Sequence, residues 1–414
     1  MQASSPIQAN IWKYYVFHFF LNFQLWLPIW IIYLTEERGL SLGQVTLIDI
    51  PFWASIVLLQ IPAAAIADRW GRRPTLIAAS AAFSCAVVFF GLASGFWLLL
   101  GAYLVWGLAF SLLSGTESAF IYDSLKSIGR ESEYQHIYGR GWAVAMSAGV
   151  AGTLIGAPVA DATSLPFPII ASGGLAAFAV VAAFTFKEPL PEQRGQRGLT
   201  YGQIIRESFG IVRKRPAVRY GILFFGLITI GSIAPIFFFQ PFLREHDIGL
   251  GQVGLWQTPM RFAGIAGALA AHRIISSFGE RGTFYAMAFT MLASFLLLAT
   301  WDSPGAQVAF FTMNFVFVLS QPTVTSYLNR RVESEERATV LSLTNLSRSL
   351  ILIPMAPLMG QLAESSLRTA FLAGGIATAA LGVPLLLAWT PHLGRAEARG
   401  STPAGEAVGV RVGD

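Results

Sequence analysis

The chain has 414 residues, of which 54% are hydrophobic and only 12% charged, and its mean hydropathy is +0.57. A soluble protein of this length carries roughly 25% charged residues, so the composition excludes an ordinary soluble domain. The net charge of +5 would point to nucleic acid in such a domain, but here the charges cluster between long apolar runs.

Those runs fall at 12–34, 43–67, 74–94, 96–122, 141–160 and 166–186, then at 218–242, 253–275, 283–300, 306–328, 338–362 and 369–390. Each is long enough to cross a bilayer, which takes about 20 mostly apolar residues in a helix. The runs are continuous rather than alternating, which argues against barrel strands. Helices also satisfy their own backbone in hydrocarbon. The expected fold is an all-α integral membrane protein of twelve helices, numbered here helix 1 to helix 12 in the order of those runs.

Lysine and arginine set the orientation. With the N-terminus in the cytoplasm, 23 of the 28 fall on the N-terminus, the even-numbered connections and the C-terminal tail. Arg38, Arg244 and Arg368 lie outside, and Arg261 and Arg348 within helices. This positive-inside bias predicts that both termini are cytoplasmic and explains the basic pI without a nucleic-acid partner. The first ten residues are polar and lack a cleavage pattern, so helix 1 is expected to serve as an uncleaved signal. Cys85 is the only cysteine, which rules out an intrachain disulfide.

Composition divides the chain into an N-terminal six-helix half (1–190), a basic linker (191–217), a C-terminal six-helix half (218–392) and a Gly/Ala/Arg/Glu-rich tail (393–414) expected to be disordered. A surface helix near Tyr201–Arg213 is expected in the linker, lying on anionic headgroups.

An internal repeat joins the halves. At an offset of 208, Leu42-Gly43-Gln44-Val45 falls on Leu250-Gly251-Gln252-Val253, Pro51 on Pro259, Gly71 on Gly279 and Arg73 on Arg281. With a gap, Glu131-Ser132-Glu133 also matches Glu333-Ser334-Glu335. Parallel repeats of this size are a known way to build a transporter.

The connection between helices 2 and 3 reads Ala64-Ala65-Ile66-Ala67-Asp68-Arg69-Trp70-Gly71-Arg72-Arg73-Pro74. Gly71 permits a tight turn, Asp68 ends one helix, and the arginines hold the loop inside. The segment resembles the signature loop of the major facilitator superfamily, Gly-x-x-x-Asp-Arg-x-Gly-Arg-Arg/Lys, although Ala64 stands where that family usually has Gly. The resemblance implies two pseudo-symmetric six-helix halves, with Asp68 facing the start of helix 11 and helping to lock the cytoplasmic side when the transporter opens outward. The second-half copy is eroded, with Ser276 for the acid and Glu280 for an arginine. The end of helix 4, Glu117-Ser118-Ala119-Phe120-Ile121-Tyr122-Asp123-Ser124-Leu125, and Gly139-Arg140-Gly141 after it also resemble bacterial members of the family. Asp68, Arg69, Arg72, Arg73, Asp123 and Arg140 are therefore read as a cytoplasmic charge network, with Arg337 its second-half counterpart. Helix 4 lacks the embedded arginine that proton-coupled drug antiporters of the family often carry.

Ionisable residues inside a span are functional candidates by default. Asp49, Glu117, Arg261 and Arg348 qualify. Asp49 and Glu117 are the proton-coupling candidates, and a pair between Asp49 and Arg348 is expected where helices 2 and 11 meet. Asn22, Gln24, Gln240, Gln257, Asn314, Gln321 and Asn345, with Trp26 and Phe238, are expected around a substrate cavity together with Arg261 and Arg348. Two arginines against one or two acids would suit an anionic or zwitterionic solute, or would be neutralised within the protein. No phosphate-binding loop and no zinc spacing is present, so no cofactor, metal or catalytic set is expected.

The reading is a monomeric secondary active transporter of a small organic solute in a bacterial cytoplasmic membrane. Proton coupling is expected, with efflux by antiport favoured over uptake by symport. A gradient-independent facilitator of the same fold is the alternative, and a membrane sensor or enzyme a more distant one.

Overall fold

The computed structural model describes residues 6–189, 210, 213–332 and 336–393. The expected linker helix, the Glu333-Ser334-Glu335 segment and the tail beyond Leu393 lie outside the described residues. Among those described, the chain is helical with no strand.

Ten helical stretches are long and apolar enough to span a membrane. Two features bring the crossings to the expected twelve. The stretch Val253–Thr300 is two helices joined at Gly279, whose φ of 64° and ψ of 174° break the ladder. Helix 1 is itself broken: it runs Asn10–Asn22, unwinds, resumes at Trp30–Ile32 and ends in a π turn at Tyr33–Glu37. Helix 2 comprises Leu42–Ile48 and Ile50–Trp70, interrupted at Asp49 just before Pro51, which cannot donate to the ladder. Helix 3 is Arg72–Leu92. Helix 4 is Phe96–Leu113 and Thr116–Lys126, broken at Gly115. Helices 5 and 6 are Tyr134–Ala162 and Pro166–Thr185. Helix 7 is Pro216–Ile233, continued through a π turn (Ala234–Phe238) into Phe239–Glu245. Helices 10, 11 and 12 are Val308–Asn329, Arg337–Ala363 and Leu367–Trp389.

The unwound part of helix 1 survives at membrane depth because protein, not lipid, satisfies it. The Ser172 hydroxyl accepts from Leu25 N at 2.8 Å. Gln240 of helix 7 accepts from Ile31 N at 2.9 Å and donates to the Leu27 carbonyl at 3.0 Å. Gly152 and Gly156 of helix 5 admit the backbone of Gln24 and Leu25, where any Cβ would collide.

The turns at Gly71 and Gly279 lie at one end of the bundle, here termed the basic face. The hydrogen bonds and ion pairs that join described residues of the two halves lie towards the other end. Glu36 pairs with Arg244 at 2.8 Å, Gln240 holds helix 1, and Glu364 at the end of helix 11 accepts from the Ser41 hydroxyl at 2.5 Å and Gly43 N at 3.2 Å. Among the described residues, the halves thus close against each other towards that end.

Candidate functional site: an aromatic cavity between the halves

A cavity of about 330 Å³ lies between the halves. Its first-half wall carries Trp26 and Trp30 of helix 1, Asp49, Phe52 and Trp53 of helix 2, and Tyr103 and Trp106 of helix 4. Its second-half wall carries Pro235 and Ile236 of helix 7, Gln257, Met260 and Arg261 of helix 8, and Asn314 of helix 10. The two walls obey the repeat. At the same offset of 208, Leu27 answers to Pro235, Asp49 to Gln257, Phe52 to Met260, Trp53 to Arg261 and Trp106 to Asn314, and all ten line the cavity.

The aromatic residues brace one another. Trp26 meets Trp106 edge-on with centroids 4.9 Å apart, and Trp106 in turn packs on Tyr103 at 5.7 Å. Polar groups are few. The Trp53 indole N–H donates to Asp49 Oδ2 at 2.5 Å. The guanidinium of Arg348 lies over the same indole at 4.7 Å and over Phe317 at 5.1 Å. Asp49 and Arg348 therefore meet through Trp53 rather than as a direct ion pair, since no contact within 4.0 Å joins them. The i, i+4 spacing of Asp49 and Trp53 on a helix is the signal from which this could have been found. Arg261 forms no ion pair with a described residue, and its Nε is buried without a hydrogen-bond partner.

A second cavity, of about 230 Å³, is lined by His18, Asn22, Gln24, Phe83 and Glu117 among others. His18 Nε2 stands 3.4 Å from Glu117 Oε2, and the Tyr14 ring lies 4.3 Å from the imidazole. Glu117 occupies the first turn of the lower segment of helix 4, where a helix N-terminus favours negative charge. Phe83 and Trp106, with centroids 5.8 Å apart, stand between the two cavities.

Of the expected cavity residues, Trp26, Asp49, Gln257, Arg261 and Asn314 line the central cavity. Asn22 and Gln24 line the second. Gln240 serves as the lock on helix 1. Phe238 is fully buried against Phe371. Gln321 and Asn345 line neither cavity, and Arg348 reaches the central one only through Trp53.

At the basic face, Arg72 bridges Asp68 at 2.9 Å and Asp123 at 3.5 Å. Arg73 turns to the Phe184 carbonyl at 2.8 Å, and Arg140 stands against the Tyr15 hydroxyl. Arg69 and Arg337 are exposed and form no ion pair with a described residue. Asp68 thus engages its own half in this conformation. Glu188, which the sequence did not single out, accepts from Arg72 N at 2.6 Å and Arg73 N at 2.7 Å. It fixes the start of helix 3, and Gly71, at φ 100°, lies against it. In the second half, Glu280 binds Arg330 at 2.9 Å and Arg331 at 2.7 Å.

Two six-helix halves around a shared cavity, closed on one side, define a membrane transporter rather than an enzyme. The chain belongs to the Major Facilitator Superfamily, whose family model matches residues 15–356. No curated protein matches it in sequence. Among solved structures it is similar to a mutant form of the nucleoside transporter NupG, with a TM-score of 0.78 at 13% identity, covering 92% of this chain and 100% of that one. It is also similar to a bacterial homologue of the human lysosomal transporter Spinster in an inward-facing, unoccupied conformation, with a TM-score of 0.72 at 16% identity, covering 94% and 98%. At such identities the likeness is one of fold.

Proposed function

We propose that the protein is a proton-coupled secondary transporter of a small organic solute, working by alternating access as a monomer in a bacterial cytoplasmic membrane. The observation that carries this reading is the closure towards one end: a cavity between two repeats, with the polar contacts that join their described residues gathered at that end. Rocking of one repeat about a site at their interface is how such folds expose it to each side in turn. The positive-inside rule makes the basic face cytoplasmic and both termini internal, so the conformation is inward-facing.

Glu117 beside His18, and Asp49 beside Trp53, are the carboxyls suited to couple protons. Burial in apolar surroundings disfavours the charged form of a carboxyl and makes its protonation sensitive to what faces it. Exchange of solute for protons, and hence efflux, is the favoured direction.

The test is a solute screen on protein in liposomes with an imposed pH gradient and an internal pH dye, run beside Glu117→Gln and Asp49→Asn. Solute-dependent proton flux that either substitution abolishes is the expected result. Solute movement that ignores the gradient and survives both would make the protein a facilitator.

A further inference from the structure

We propose that the central cavity takes a planar aromatic organic anion, its ring held by the tryptophan wall and its carboxylate by Arg261. The inference rests on the transporter reading for its biological meaning, but it concerns binding and is testable without transport.

The argument begins with charge. A guanidinium within a membrane span costs several kcal/mol unless something compensates it, about 2.5–3.5 on insertion scales. Arg348 has compensation: it stacks on Trp53 and Phe317, and the same Trp53 donates to Asp49. Arg261 has none. Its Nε, like that of Arg348, is buried without a hydrogen-bond partner, but among the described residues no acid pairs with it and no ring lies under its guanidinium. Asp49, the one carboxylate among the described residues of the cavity wall, accepts from the Trp53 N–H at 2.5 Å. The wall therefore presents a single uncompensated positive charge, and an anion is the ligand that would neutralise it.

Shape and hydrogen bonding narrow the class. The wall opposite Arg261 is Trp26, Trp30, Phe52, Trp53, Tyr103 and Trp106, broad faces that suit a flat ring. Besides Arg261, two lining residues carry buried polar atoms without partners: the Trp26 indole Nε1, a donor, and Gln257 Oε1, an acceptor. A ring bearing its own N–H beside a carboxylate would satisfy both kinds. The volume of about 330 Å³ sits at the lower end of small-molecule sites. Aromatic walls also attract cations, but a cation here would face Arg261.

The experiment measures binding of three probes that share one ring and differ in charge: indole-3-acetate, indole-3-ethanol and tryptamine. Isothermal titration of purified full-length protein is expected to give the order anion, neutral, cation, with the acid about tenfold or more tighter than the alcohol, as a charge-assisted contact implies. Arg261→Gln should erase the preference of acid over alcohol while keeping the alcohol's affinity, and Arg261→Lys should keep part of it. Arg261→Gln should also melt no lower than the parent, because it removes an unpaired charge rather than breaking a pair. Equal affinities, tighter binding of tryptamine, no binding of any probe, or a preference that survives Arg261→Gln would each overturn the proposal. Binding with the expected preference but no solute flux in liposomes would instead count against the transporter reading. Solute flux without the charge preference would do the reverse.

Discussion

Glu280 holds Arg331 at 2.7 Å, at the two positions that the repeat places opposite Arg72 and Asp123. The offset is 208 for both members of the pair. The contact between the turn after the second helix and the end of the fourth is thus kept in each half with its charges reversed. What reads along the chain as an eroded motif is, in space, the same clasp. Replacing Glu280 by Arg should set three arginines against one another and lower the melting temperature. Adding Arg331→Glu should restore part of the loss, with a coupling energy of about 1 kcal/mol from the double-mutant cycle. Recovery will be incomplete because Arg331 also lies 3.6 Å over the Tyr327 ring. Additive losses with no coupling would show that the clasp contributes nothing.

Glu364 joins two points of the other half at the closed side, since one carboxylate accepts from both Ser41 and Gly43. A hydrogen bond to a charged group contributes about 1.5–3 kcal/mol, so Glu364→Ala should shift the balance between conformations by tenfold or more. Spin labels at Ser164 and Thr300, with Cys85 replaced by Ser, report the gap between the halves on that side. A longer-distance population should appear in the variant. An unchanged distance distribution would mean that Glu36–Arg244 and Gln240 suffice to hold the closure.

How much of this was legible along the chain depends on the quantity each signal measures. Apolar runs report crossings, so the helices fall where composition put them, and the offset joining Pro51 to Pro259 carries through to the facing walls of the cavity. Individual side chains are harder. Gln24 leaves the central cavity because helix 1 unwinds after Asn22, and past that point a helical register no longer says where a residue faces. Phe238 and Gln240 are displaced for a related reason: the π turn at Ala234–Phe238 inserts an extra residue into a turn and rotates the remainder of the helix. Tyr103 and Trp106 carried no signal at all, since helix 4 is apolar all round and nothing in its pattern separates lipid-facing aromatics from cavity-facing ones.

The break in helix 1 makes its own prediction. A Cβ on Gly156 would run into the Leu25 carbonyl, whereas one on Gly174 would meet open space. Gly156→Ala should therefore destabilise by about 1–3 kcal/mol, the usual cost of overpacking, and disturb the cavity by moving Trp26. Gly174→Ala, also in a helix, should be neutral or slightly stabilising, within about 1 kcal/mol. Thermal unfolding of the two variants side by side checks this. Equal melting temperatures would mean that the unwound segment can move aside without cost.

Trp53 separates two roles that a single substitution would confuse. Its N–H donates to Asp49, and its ring carries Arg348 at 4.7 Å. Trp53→Phe keeps a ring beneath the guanidinium and deletes only the donor, at a cost of about 1.5–3 kcal/mol for a hydrogen bond to a charged group. Trp53→Leu removes the cation–π contact as well, a further ~0.5–2 kcal/mol. If Asp49 works as a proton site governed by that donor, Trp53→Phe should displace the pH at which solute-driven proton flux is half-maximal. Trp53→Leu should displace it similarly and also lower the melting temperature. A pH profile unmoved in both variants, with stability falling in step, would reduce Asp49, Trp53 and Arg348 to a packing unit between helices 2 and 11 and leave Glu117 as the coupling carboxyl.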